Sequence, residues 1–335
     1  MRSSDAIVAI RFVAGTPLAI AAAALSSGQW GSLTVNGMSQ ALITRGDSDS
    51  IVSYAPRGHW HSSAKRAYFY GATHGTQRLN RIIRYVDSTN TWEADQDGAP
   101  QADGTDAHGY YHFALRSSDG QQFIRHYNSS TISQRAPGGS WSTIASFAGA
   151  NFVDWNVANG IEWHPGLNSG VGGLVLSAGG IIQTWSQGTN TWTTRLQQAG
   201  IAGDYHTFSV YNPQDGLVYV GGGNGSTNMW RVNADGTVTQ VASTPFEVGA
   251  DGTGGQAFIF PAANGGKMFA VSTAGSIREY TTGTPGSWSA EISTLPFTPN
   301  GDLYFGVAVP DYGVVIFVWL SSGLTPSTTM YIWKH

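Results

Sequence analysis

The feature that most constrains this chain is a polar turn that recurs at a nearly fixed interval and, in four of five copies, runs into tryptophan. The turns are Asp87-Ser88-Thr89-Asn90-Thr91-Trp92, Pro137-Gly138-Gly139-Ser140-Trp141, Gln187-Gly188-Thr189-Asn190-Thr191-Trp192, Ala234-Asp235-Gly236-Thr237-Val238 and Pro285-Gly286-Ser287-Trp288. Their last residues stand at positions 92, 141, 192, 238 and 288, so one unit is about fifty residues long. A unit of that length with several short β-rich runs belongs to a radial array of small sheets, each covering its neighbour's faces. The repeat overrides length, because 335 residues alone would suggest two domains.

Each block divides into four runs of β-branched and aromatic residues punctuated by Gly, Asn, Asp or Pro. In the first block these are residues 51–56, 67–72, 81–87 and 91–94; the second opens at 110–116 and the third at 160–164. The last block offers three, at 303–310, 314–320 and 330–334. The fourth lies at the other end of the chain, where Ser27-Gly28-Gln29-Trp30 repeats the turn-then-Trp pattern and leads into Gly31-Ser32-Leu33-Thr34-Val35. Pairing that strand with the C-terminal three closes the ring and removes an unpaired edge. The expectation is an all-β, six-bladed β-propeller of four-stranded blades over residues 28–335, with residues 1–27 as an N-terminal arm or short helix. Seven blades is the alternative, if residues 34–47 hide further strands.

Charged residues make up 11% of the chain and the net charge is −4, which excludes the dense basic face that nucleic-acid binding needs. Cysteine is absent, which excludes disulfides, thiolate metal sites and cysteine nucleophiles. The apolar stretch at 12–25 is too short to span a bilayer. Its Thr16-Pro17 opening has the order of N-cap and first helical residue, so a docked helix or arm is expected in preference to a signal peptide.

Several details resemble kelch repeats. The outer-strand Trp follows a polar turn, Gly179-Gly180 and Gly221-Gly222-Gly223 end second strands, and Tyr111-His112 and Tyr205-His206 open inner strands. The arrangement is similar to the galactose-oxidase-like propellers and to kelch-like propellers encoded in bacterial and bacteriophage genomes. The resemblance implies the fold over residues 28–335, and for the phage members a virion component. It does not carry the copper chemistry of galactose oxidase, which needs a cysteine cross-linked to a tyrosine.

Loops between blades each hold an aspartate: Asp47, Asp49, Asp103, Asp106, Asp154, Asp204, Asp251 and Asp302. A ring of carboxylates could hold Ca²⁺ through oxygen ligands. Equally, Asp is a favoured turn residue because it bonds nearby backbone N–H groups, and no loop has dense Asp-x-Asp-x-Asp spacing. No metal or cofactor is therefore expected, with Ca²⁺ as the one to test. His108, His112 and His206 fall at inner-strand starts, where they could converge on a metal or hydrogen-bond between blades. His59 and His61, flanking Trp60, read as exposed. Glu162 is the most interesting glutamate, beside Trp163 and His164.

Aromatics near loops (Trp60, Tyr110, Tyr111, Trp155, Trp163, Tyr205 and Tyr304) make a glycan platform with neighbouring Asn, Asp and His, or else fill the spaces between blades. The channel-face candidates for binding are thus Trp60, His108, Tyr111, His112, Trp155, Glu162, Trp163, Asp204, Tyr205, His206 and Asp302. With no recognisable catalytic motif, the expected function is a non-enzymatic binding or structural module in a virion or outside the cell. It would meet host-surface glycans or proteins, with the arm joining it to other virion proteins. The alternative is a secreted glycan-active enzyme using His108, His112, Glu162 and His206 in the central channel.

Overall fold

In four blades the repeated tryptophan stands directly across the ladder from a second aromatic residue. Trp92 lies opposite Tyr85, Trp192 opposite Trp185, Trp288 opposite Tyr280, and Trp30 opposite Trp333. Each pair joins the outermost strand of a blade to the strand inside it. Such a cross-strand aromatic pair contributes roughly 0.2–1 kcal/mol relative to alanines. The repeat seen in the sequence is one half of this pairing device.

The computed structural model describes residues 15–44, 50–53, 55–73, 79–95, 99–101, 107–147, 160–178, 180–203, 206–250, 256–260, 267–299, 304–321 and 325–335. Within them six antiparallel sheets form a six-bladed β-propeller. Blade 1 is His59–His61, Arg66–Ala72, Asn80–Val86 and Thr91–Ala94. Blade 2 is Phe113–Arg116, Gln121–Arg125, Ile132–Arg135 and Ser142–Thr143. Blade 3 is Gly160–His164, Gly173–Ala178, Ile181–Ser186 and Thr191–Gln197. Blade 4 is Thr207–Asn212, Leu217–Gly222, Met229–Val232 and Val238–Val241.

Blade 5 has Gln256–Phe260, Met268–Val271 and Ser276–Thr281, with an outer strand split into Ser287–Trp288 and Ser293–Thr294. The short strand Gly249–Ala250 pairs ahead of its first strand. Blade 6 is Tyr304–Val309, Val314–Ser321 and Thr325–Lys334, completed by Trp30–Thr34 from the N-terminal end. The six inner strands pack against one another in ring order.

Closure uses the full length of the N-terminal strand, with Trp30 to Thr34 paired to Trp333 through Thr329. The chain then crosses to blade 1, where the Asn36 amide donates to Asn90 O and the Trp92 amide donates to Asn36 O. Gly37 follows with φ +76, and a Cβ there would sit 2.1 Å from Trp92 O, so only glycine fits. Beyond it Gln40–Ile43 forms one helical turn with Leu42 and Ile43 buried. Within the described part of 34–47 there is no further blade; residues 45–47 lie outside the described residues.

Blade 1 departs from the expected strand positions. Residues 51–53 form a turn, and the inner strand is His59–His61. Ile51 and Val52 are buried without joining a ladder. The short loop from Ser62 to Lys65, with Lys65 at φ +51, sets His59–His61 opposite Arg66–Tyr68, in the inner-strand place expected for the earlier run. The expectation that His59 and His61 are exposed is corrected with it: His61 is buried and His59 half-buried. Tyr304 and Tyr110 are likewise buried in packing, not presented on a platform.

Ahead of the closing strand, Pro17–Ala23 is a helix with Leu18 and Ala22 buried on the ring. Thr16 occupies the N-cap position but makes no side-chain bond to its own helix. Its hydroxyl donates to Asp87 Oδ2 at 2.6 Å, the Leu18 amide donates to Asp87 Oδ1 at 3.2 Å, and the Tyr312 hydroxyl donates to Asp87 Oδ2 at 2.7 Å. A fully buried carboxylate of blade 1 thus caps the N-terminal helix and ties it to blade 6. Asp87→Ala orphans these donors and is expected to lower stability by about 2 kcal/mol, measured by urea unfolding. A change within 0.5 kcal/mol, roughly that of an ordinary surface substitution, would remove Asp87 from closure.

Candidate functional site

In five blades the connection from the inner strand to the second strand is among the described residues, and those connections lie at one end of the channel. In those blades the second-last residue of the inner strand faces one common space: Trp60, Leu115, Trp163, Tyr211 and Ala308. The residues just past the strands (Ser117, Ser118, Pro165, Pro213 and Pro310) form its rim. The space is a partly open cavity of about 180 Å³ with mostly apolar walls at the hairpin end of the channel.

Beside the polar members His59, Ser117, Ser118 and Tyr211, the charged residues of the lining are Arg57 and Glu162. Both side chains are buried, and Arg57 Nη1 donates to Glu162 Oε2 in a short ion pair from blade 1 to blade 3. Glu162 Oε1 also accepts from the Trp163 amide at 2.8 Å, and Oε2 from the Tyr211 amide at 3.2 Å. Burial pushes the Glu162 carboxyl above its ordinary value, opposed by Arg57 and those two amides. The Arg57 guanidinium lies 5.4 Å from the Tyr111 ring centre, so Tyr111 packs on the pair without lining the cavity. Arg57 Nη2 is buried with no hydrogen-bond partner among the described residues. His59 also lines the cavity, its Nε2 donating to Phe113 O at 3.0 Å. Burial first, then Arg57, holds its pKa well below the ordinary histidine value, so it is neutral.

The other candidates collect at the opposite end. His108 stacks on Tyr127 with ring centres 3.8 Å apart and bonds the Tyr110 hydroxyl at 3.0 Å. Tyr110 meets the edges of His112 and His206. Arg125 Nη1 lies 2.9 Å from His112 Nε2 and can only donate, so Nε2 accepts and Nδ1 donates to His108 O at 3.0 Å. His206 Nδ1 likewise donates to Asn224 Oδ1 at 2.8 Å. These rings form a packed, hydrogen-bonded plug between blades.

Of the channel-face candidates, Trp60, Glu162 and Trp163 meet at the cavity, Tyr111 packs on the ion pair without lining it, and His108, His112 and His206 belong to the plug. Trp155, Asp204, Tyr205 and Asp302 lie outside the described residues, as do Asp47, Asp49, Asp103, Asp106, Asp154 and Asp251 of the aspartate ring. Among the described residues no three His, Cys, Asp or Glu side chains gather to hold a metal. Sequence reasoning missed Arg57, Tyr211 and His59 as cavity residues. An arginine between Pro56 and Gly58, in a chain with so few charges, was the available signal.

Neutral buried histidines make the ring acid-sensitive. His164 is fully buried, its Nε2 donates to Val232 O, and burial lowers its pKa to about 4. Below about pH 6.5 the unfolded chain gains a proton that the folded chain refuses, so stability is lost as pH falls towards 4. Between pH 7 and pH 5 this one group is expected to cost about 2 kcal/mol. Urea unfolding at both values should show the loss, with a smaller one in His164→Gln. An equal loss in the variant would place the sensitivity elsewhere.

No family model and no curated protein matches this chain. Solved structures do. A streptogramin B lyase aligns over 91% of this chain and 99% of its own at 10% identity, TM-score 0.51. A Bacteroides thetaiotaomicron protein of unknown function aligns over 90% and 76% at 12% identity, TM-score 0.55. A chain of the mitotic checkpoint complex aligns over 92% and 97% at 11% identity, TM-score 0.51. The class these define, together with the six sheets, is the β-propeller. Likeness at this level carries the fold alone, on which lyases and assembly components both occur.

Proposed function

We propose that this propeller is a non-enzymatic binding and structural module, a tail or capsid appendage of a bacteriophage that meets host-surface glycan or protein. The observation that carries the non-enzymatic reading is the condition of Glu162. Its carboxylate is held by Arg57 and two backbone amides, which suits a fixed recognition element and not a proton-transfer group. Support for the virion setting is the sequence resemblance to kelch-like propellers of bacterial and bacteriophage genomes.

The link to the particle would run through residues ahead of Thr16, since Thr16 to Ala22 is committed to the ring. No cofactor is required in this reading; loss of binding in EDTA would bring back calcium on the interblade aspartates. Two measurements test it. Peptide mapping of purified particles should find the chain, and lose it when residues 1–14 are deleted. A glycan array should give binding with no change in the glycan. Reducing-end release that disappears in Glu162→Gln would overturn the reading in favour of a secreted carbohydrate-active enzyme.

A further inference from the structure

Three observations converge on the hairpin end of the channel. Its walls are aromatic and apolar, from Trp60, Trp163, Tyr211, Leu115 and Ala308. Its wall includes the ion-paired residues Arg57 and Glu162, and behind that wall Arg57 Nη2 is a buried donor that no described residue satisfies. Its volume of about 180 Å³ is far above the roughly 10–15 Å³ that one water needs and below the roughly 300–1,000 Å³ of drug-sized pockets, the scale of one monosaccharide.

We infer that this cavity is a binding site for a single neutral sugar residue, entered from the hairpin face and not from the loops that carry the aspartates. Resting on the binding-module reading, the inference names the site and the ligand class. A pyranose offers an apolar C–H face to aromatic walls and hydroxyls at its rim. A hydroxyl both accepts and donates, so it matches the Arg57–Glu162 pair in the wall and the Ser117 and Ser118 residues at the rim. A ligand carboxylate accepts only, and would place a second negative charge beside Glu162. Arg57 and Glu162 cancel and His59 is neutral, so the site carries no net charge to attract an acidic sugar. A nucleoside suits the aromatic walls with its base, but base and ribose together exceed a space of one-monosaccharide scale.

The test titrates the full chain with methyl glycosides of glucose, galactose, mannose and N-acetylglucosamine, followed by saturation-transfer NMR and calorimetry. Glucuronic acid, N-acetylneuraminic acid and adenosine are the comparison ligands. At least one neutral glycoside should bind. Its affinity should fall tenfold or more in Ala308→Phe, which fills the cavity, and in the double variant Arg57→Met/Glu162→Gln, which removes the polar pair without leaving a charge unpaired. Both variants are checked for folding by thermal melting, and Tyr211→Ala, at a half-buried wall position, is a third probe should either fail.

Preference for the acidic sugars or adenosine would overturn the ligand class. Binding that survives every folded variant would overturn the site, and so would no binding by any ligand. A neutral glycoside that binds here and is cleaved would keep the cavity and sink the non-enzymatic reading. A chain found on particles whose cavity binds none of the panel would do the reverse.

Discussion

A chain lacking residues 1–35 is expected to lose the cooperative unfolding transition of the full protein. The deletion takes away a five-residue ladder against Thr329 to Trp333 and leaves that edge of blade 6 open. It also strips the sites where Leu18, Ala22 and Val35 are buried, and the ring of Trp30 that lies 5.9 Å from Trp333 and 5.6 Å from Phe317. At about 1.5–3 kcal/mol for each large apolar side chain, burial alone accounts for about 5 kcal/mol. Orphaned donors around Asp87 and the lost strand pairing add to it. That total rivals the whole stability of a typical domain, about 5–15 kcal/mol. Circular dichroism and thermal melting decide the matter. A truncated ring that melts sharply within a few degrees of the full chain would show that blade 6 stands on three strands, and that the N-terminal segment is not a closure device.

What the sequence disclosed and what it hid separate along a physical line. The period and the latch were legible because the outer-strand tryptophans repeat after turns, and because Trp30 repeats the same turn at the far end. The other half of each pair (Tyr85, Trp185, Tyr280, Trp333) sits in a strand of mixed apolar, polar and charged residues that follows no repeated motif, where nothing marks it out. Blade 1 misled for a related reason. Ile51 and Val52 look like a strand, but they pack as a buried turn so close that a Cβ on Gly71 would lie 1.8 Å from Ile51 O. Asp87 reads as an ordinary turn aspartate, and only its surroundings from residues 16, 18 and 312 make it a node.

The cavity was half legible. Trp60, Glu162 and Trp163 were candidates by type, but the prolines and arginine that share their end of the channel carry no pattern that points to a cavity. Arg57 and Glu162 are 105 positions apart, and no local pattern relates them. Ring closure alone brings them together across the channel.

That pair makes the other large prediction. Arg57→Met alone should cost about 3–5 kcal/mol, because it leaves a buried carboxylate without its cation. Arg57→Met with Glu162→Gln should cost far less, since neither charge remains to be desolvated. A double-mutant cycle by urea unfolding reads the difference, and single and double variants of equal stability would mean the pair is not coupled. The pH dependence adds an independent check. In the wild type burial already holds the Glu162 pKa above its ordinary value against the pull of Arg57. Without Arg57 that opposition is gone and the pKa rises further. A carboxyl with a higher pKa in the folded chain binds more protons there than in the unfolded chain. Its contribution therefore falls as pH rises from the ordinary carboxylate range through the raised folded value. Buried histidines away from Arg57 pull the other way between pH 5 and 6.5 equally in both proteins and cancel. His59, relieved of Arg57, costs less on acidification in the variant and adds to the same trend. The deficit of Arg57→Met should thus be smaller at pH 5 than at pH 8. A deficit independent of pH would mean that Glu162 keeps its charge without the arginine, held by the Trp163 and Tyr211 amides alone.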